Sequence, residues 1–200
     1  MTKRVSSVLA VLAMMLLIVA GCSKPPEAEM TAAQSSIDAA RTAEAEQYAP
    51  ASWRTAQDTL NAANAAKQEQ DSKFALFRSY GASKEMFVRS SALAQKASAD
   101  AAAEKERMRV EVEGLLAQAQ TAFDETNAAL AKAPVGKGNK SDIELIKNDL
   151  AGIGLALEDA KADFAAGKYI SAKSKVEGVM GNTQRITAEI ASAAAKKAGR

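Results

Sequence analysis

Apolar residues return every three or four positions along most of this chain, and prolines interrupt it only at 25, 26, 50 and 134. A period between 3.5 and 3.6 is the signature of helices that bury one face. The pattern predicts helices over 27–47, 51–70, 72–132, from 141 to about 165, and from 169 onward. The last two carry the strictest stripes. One runs Ile143, Ile146, Leu150, Ile153, Leu157, Ala160, Phe164; the other runs Tyr169, Ala172, Val176, Val179, Thr183, Ile186, Ile190. Alternating steps of three and four over seven positions predict the seam of a coiled coil or antiparallel bundle. The three-residue turn at 166–168 makes the two helices antiparallel neighbours. Ser141-Asp142-Ile143-Glu144 has the S-x-x-E spacing of a capping box at the first of them.

The third helix meets no proline between Ser72 and Lys132 and carries its own stripe from Met108 to Ala129. At about 61 residues and 1.5 Å each it would be roughly 90 Å long, more than its neighbours can cover. The expected fold is therefore all-α, an elongated antiparallel helical bundle or coiled coil, with two three-helix bundles sharing one long central helix. The N-terminal bundle takes residues 27–100 and the C-terminal bundle 101–200, with a linker at 133–140 (APVGKGNK).

One segment breaks the rhythm. Lys3 and Arg4 precede an unbroken apolar run from Val8 to Ala20, too short to span a bilayer comfortably and of the right length for a signal-peptide core. It ends Val19-Ala20-Gly21-Cys22, and Cys22 is the only cysteine. This resembles the bacterial lipobox. The resemblance implies a signal peptide over 1–21, cleavage before Cys22, and a Cys22 carrying S-diacylglycerol and an N-acyl chain such as palmitate. Two or three chains anchor stably because each buried methylene contributes about 0.8 kcal/mol. Pro25 and Pro26 would hold residues 22–26 extended as a tether of at most roughly 17 Å. Ser23, by similarity to lipoprotein sorting patterns in which aspartate at this place retains the chain in the inner membrane, implies a periplasm-facing, lipid-anchored place in the outer membrane.

Composition narrows the chemistry. Histidine is absent and Cys22 has no partner, so an intrachain disulfide, a His/Cys zinc site and a Ser-His-Asp or Cys-His catalytic pair are all excluded. With Lys3 and Arg4 removed, 24 basic residues face 24 acidic ones. A neutral body offers nucleic acid no basic surface. The 46 alanines favour helix and close helix approach while burying little area each.

The remaining motifs read as architecture. "AGIGLAL" (151–157) follows no strand, so its glycines fit close helix packing better than a nucleotide loop. "GKGNKS" (136–141) lacks phosphate-loop spacing. "EKERMRVEVE" (104–113) is the mixed-charge face of a solvated helix. Most of the aromatics gather near the turns: Tyr48 and Trp53; Phe74, Phe77 and Tyr80; Phe164 and Tyr169. They are expected to plug the ends of an alanine-thin core, with a ligand cup at the bundle tips as the alternative. No carboxylates pair at catalytic spacing, so no enzyme and no cofactor or metal is expected.

"AEAEQYAPASWRTAQDTLNAA" (43–63), with its Tyr-Ala-Pro step and a following helix that opens on Lys-Phe, resembles an uncharacterised helical domain of bacterial envelope lipoproteins. That domain is often joined to an OmpA-like peptidoglycan-binding domain. The resemblance spans roughly residues 28–100. No OmpA-like α/β pattern follows, and residues 101–200 read as further helix, so neither peptidoglycan binding nor any site residue carries over. The sequence leads to a lipid-anchored structural or adaptor protein of the envelope, facing an envelope protein or a second copy of itself. A helical lipoprotein that binds an apolar ligand or acts as a holdase is the alternative.

Overall fold

The computed structural model describes residues 23–136 and 138–198, with side chains up to residue 195. Among them there is no strand. The helices are α1 (Glu27–Thr42), α2 (Ala45–Tyr48), α3 (Pro50–Asp71), α4 (Gly81–Lys132), α5 (Lys140–Ala165) and α6 (Tyr169–Ala198), with a 3₁₀ turn at Ala75–Phe77. The chain divides into two compact units between Glu104 and Lys105, and α4 supplies residues to both.

In the first unit α1, α3 and the start of α4 bury a narrow core. Alanines 33, 40, 56, 63, 94, 97 and 101 are completely enclosed, as is Phe87, with Ile37, Trp53 and Leu60 around them. Polar side chains tie the helices where little apolar area is available. Ser90 Oγ donates to the Ala56 carbonyl at 3.0 Å, Ser36 and Ser91 hydroxyls meet at 2.7 Å, and Ser52 donates to Asp100 at 2.5 Å. The Arg41 guanidinium lies 5.6 Å from the centroid of the Trp53 ring, a cation–π contact.

The helix expected over 27–47 is broken. Glu44 takes a left-handed conformation (φ 59°, ψ 30°) between α1 and α2, and Pro50 then opens α3 at its first turn, where a missing amide costs nothing. The helix expected from Ser72 begins only at Gly81 and has 52 residues. Phe74 and Arg78 are extended on either side of the 3₁₀ turn, and the Arg78 guanidinium caps carbonyls of Lys73 and Asp71. The end of α3 is thus satisfied by a side chain rather than by continued helix.

The second unit is built on the heptad stripes. Val112, Leu116, Ala119 and Leu130 of α4 join Ile143, Ile146, Leu150, Ile153, Leu157 and Ala160 of α5 and Ala172, Val176, Val179, Ile186, Ile190 and Ala193 of α6 in one cluster. Gly154 belongs to this packing: a Cβ there would sit 3.1 Å from the Phe123 ring. Gly167 (φ +73°) closes α5, its amide bonded to Phe164 O and that of Lys168 to Asp163 O, the Schellman pattern.

The capping box at Ser141 is not used. Helix α5 starts one residue earlier, at Lys140, and Asn139 organises the entry. Asn139 is 2% exposed. Its Oδ1 accepts from Gly136 N at 2.8 Å, while Nδ2 donates to Pro134 O at 2.8 Å and to Ala193 O of α6 at 3.3 Å. Asn139→Ala should therefore cost about 1–3 kcal/mol, because one buried and two part-buried backbone groups lose their partner, and Ser141→Ala under about 0.5 kcal/mol. Urea melts check this; equal losses would return the cap to Ser141.

Candidate functional site

Val19, Ala20, Gly21 and Cys22, the residues of the lipobox, lie outside the described residues. The seam residues form core. Ile143, Ile146, Leu150, Ile153, Leu157, Val176, Val179, Ile186 and Ile190 are all buried in the cluster of the second unit. Tyr169 is half-buried at its edge, its ring centroid 5.4 Å from that of Phe164. None of these side chains offers chemistry beyond packing.

Among the described residues no group of three or more carboxylate or thiol side chains is placed to hold a metal ion. No helix there is long and apolar enough to cross a membrane. Hollows among the described residues are open surface grooves. One of them, about 500 Å³, runs between α1 and α3 past Met30, Gln34, Asp38, Leu60 and Asn64. Another lies between α5 and α6, lined by Asp142, Leu145, Ile146 and Glu189 among others.

The most unusual surface is the knuckle between α3 and α4. Phe74, Leu76 and Phe77 are 70%, 51% and 75% exposed, and the two rings stand 6.3 Å apart. They do not plug the end of the core as their position by a turn suggests; of that aromatic group only Tyr80, 2% exposed, does so. The knuckle is held firmly. Phe77 N donates to Phe74 O at 2.9 Å. Arg78 Nε and one terminal nitrogen donate to Lys73 O and Asp71 O, each at 2.9 Å, and Ser79 N donates to Gln70 Oε1 at 3.1 Å. Tyr80 OH donates to Asp71 Oδ1 at 2.5 Å. Lys67 bonds Asp71 at 3.0 Å and reaches Glu27 of α1 at 3.8 Å, and Lys84 pairs with Glu29 at 2.9 Å. The sequence signal was three large apolar residues within Phe74–Phe77, off the stripe of either flanking helix.

The carboxylate and the phenol act on each other's protons. The Tyr80 hydroxyl, and after it Lys67, hold Asp71 below the usual carboxylate range. The charged Asp71 beside it holds Tyr80 above the usual phenol value. Asp71 stabilises the fold above its unfolded value near 3.9, and this is lost as pH falls through its lowered folded value. Tyr80 contributes fully below about pH 10, and this is lost as pH rises through its raised folded value. Asp71→Asn should lower the ionisation midpoint of Tyr80, read as tyrosinate absorbance after subtraction of a Tyr80→Phe titration. An unmoved midpoint would mean that the pair does not form.

Residues 28–113, less than half of the chain, match the model of a family described as Domain of unknown function (DUF4398). The match takes in α1 to α3, the knuckle and the first part of α4. Neither a curated protein nor a solved structure is significantly similar to the chain.

Proposed function

We propose that this protein is a lipid-anchored structural or adaptor protein of a bacterial envelope, facing the periplasm from the outer membrane. The observation that carries the reading is the apolar run ending Val19-Ala20-Gly21-Cys22, with the sole cysteine set five residues before the first turn of α1. Ser23 in place of aspartate supports the outer membrane. The adaptor role draws on the character of the surface. The two units expose helix faces and open grooves, whereas an apolar-ligand carrier needs a cavity of at least about 300 Å³ that encloses its cargo, and the hollows described above open to solvent. Among the described residues no group of side chains points to catalysis.

Cells expressing the chain, fed an alkyne fatty acid, should label it, and Cys22→Ala should abolish the label. Inhibition of signal peptidase II should leave a longer, unprocessed chain. Equal labelling of wild type and Cys22→Ala would overturn the anchor. In-cell crosslinking from position 34 in the α1–α3 groove should then trap an envelope protein or a second copy. Recovery of an organic-soluble small molecule there, with no protein adduct, would favour a ligand carrier.

A further inference from the structure

We propose that the knuckle Phe74–Phe77 is a second membrane contact, inserting into the interface of the bilayer that holds the acyl chains of Cys22. The proposal rests on the lipid-anchor reading above. Its first support is position. The ion pairs Lys67–Glu27 and Lys84–Glu29 tie the base of the knuckle to the first turn of α1. The chain before that turn comes from Cys22, five residues and at most roughly 17 Å away. The knuckle and the anchor therefore share one end of the first unit, and α2 lies at the other end of the α1–α3 hairpin.

The second support is the character of the surface. Phe74, Leu76 and Phe77 present two rings and an isobutyl group to solvent from a single turn. Burial of such side chains is the main source of interfacial affinity. Around them, Lys67, Lys73 and Lys84 are ion-paired with Glu27, Asp71, Glu69 and Glu29, and Arg78, bonded to the Asp71 and Lys73 carbonyls, brings the cations to the same number as these carboxylates. The rim is charged but balanced, so insertion is driven by apolar side chains and should change little with the anionic fraction of the lipid.

The third support is the hydrogen bonding. A loop entering a membrane interface loses water from its backbone, and each unpaired polar group there is costly. Here the Arg78 guanidinium covers the carbonyls of Lys73 and Asp71, the Gln70 amide oxygen accepts from Ser79 N, and Phe77 N closes on Phe74 O. The turn presents its apolar side chains with these backbone groups already satisfied. One acylated cysteine on a short tether fixes distance but not orientation. A second contact at the same end would hold α1 and α3 at a set angle to the lipid and present the α1–α3 groove in a fixed direction.

The test uses the full acylated chain in vesicles of phosphatidylethanolamine and phosphatidylglycerol. Cys22 is blocked by its lipid, so Ala75→Cys at the knuckle, or Gln47→Cys in α2, can be labelled singly with an environment-sensitive dye. Both are exposed positions. The dye at 75 should shift to the blue and be quenched by nitroxide-bearing lipid, and the dye at 47 should remain as in water. Phe74→Ser with Phe77→Ser should reduce the signal at 75 to that at 47 without altering the melting curve. Equal signals at 75 and 47 in chains that float with the vesicles would overturn the proposal. So would a shift at 75 that needs no lipid and grows with protein concentration, since a second copy would then cover the knuckle. The mass of the N-terminal peptide reports acylation separately. If Cys22 is unmodified, the same dyes are read on the chain carrying Cys22→Ala with vesicles added. Lipid-dependent quenching at 75, weakened about tenfold or more by the two serines, then supports the knuckle alone, and its absence overturns it.

Discussion

Leu157→Asp should unfold the second unit at temperatures where the wild type is fully folded, whereas Leu155→Asp, two residues away, should leave the melt almost unchanged. Leu157 is 1% exposed and sits in the cluster shared by α4, α5 and α6; Leu155 is 75% exposed. The substitution at 157 removes a buried leucine, which alone costs about 2–5 kcal/mol, and leaves a carboxylate among Ile, Val and Ala side chains with no partner. A total of about 4 kcal/mol or more would lower the midpoint of a unit of this size by on the order of 15–30 °C. The change at 155 should stay within about 0.5 kcal/mol. Circular dichroism melts of the two full-length variants decide it. Coincident curves would mean that the seam of α5 faces another way.

That seam was legible because its residues are large and aliphatic. Ile143 through Leu157 and Val176 through Ile190 announce their period without help from anything else. The corresponding stripe in the first unit was harder to see. Ser83, Phe87, Ser90, Ala94, Ala97 and Ala101 step by four and three along α4, and all are buried. Serine reads as polar and alanine as neutral, so the alternation carries almost no hydropathy signal. It becomes a core only because Ser90 finds the Ala56 carbonyl and small side chains let the helices approach.

The breaks were less legible still. Glu44 has high helix propensity, and nothing local marks it for a left-handed conformation; the break at this point follows from the tertiary turn between α1 and α3. The stretch 72–80 was readable as a turn near Asp71, but its length was not. The contacts that end α3 and delay α4 reach from Arg78 and Tyr80 back to Asp71 and Lys73, and spacing along the chain does not show them. Asn139 likewise outcompetes the Ser141 box through a carbonyl on α6, 54 residues later. The candidate anchor at Cys22 was read wholly from sequence, and the exposure of the knuckle only from structure.

Phe87→Ala should be the most damaging single truncation in the first unit. Phe87 is the largest of the fully buried side chains, and truncating a buried phenylalanine costs about 3–5 kcal/mol. The upper part of that range applies here for a physical reason. A cavity is relieved when neighbours change rotamer and lean in, but the unit is lined largely by alanines, whose β-carbons are fixed to the helix backbones. Closing the gap would require whole helices to move, and the Ser90–Ala56 and Ser36–Ser91 hydrogen bonds hold them at their present spacing. Phe77→Ala provides the internal control. It removes the same atoms from a residue 75% exposed, so its effect should stay within about 0.5 kcal/mol. Urea unfolding of the two variants, followed by the fluorescence of Trp53, the only tryptophan, separates them. Trp53 is itself buried in this unit, so its signal reports the core that Phe87 fills. If Phe77→Ala proves as costly as Phe87→Ala, the knuckle packs against the fold in solution, and both its exposed surface and the membrane contact built on it are wrong.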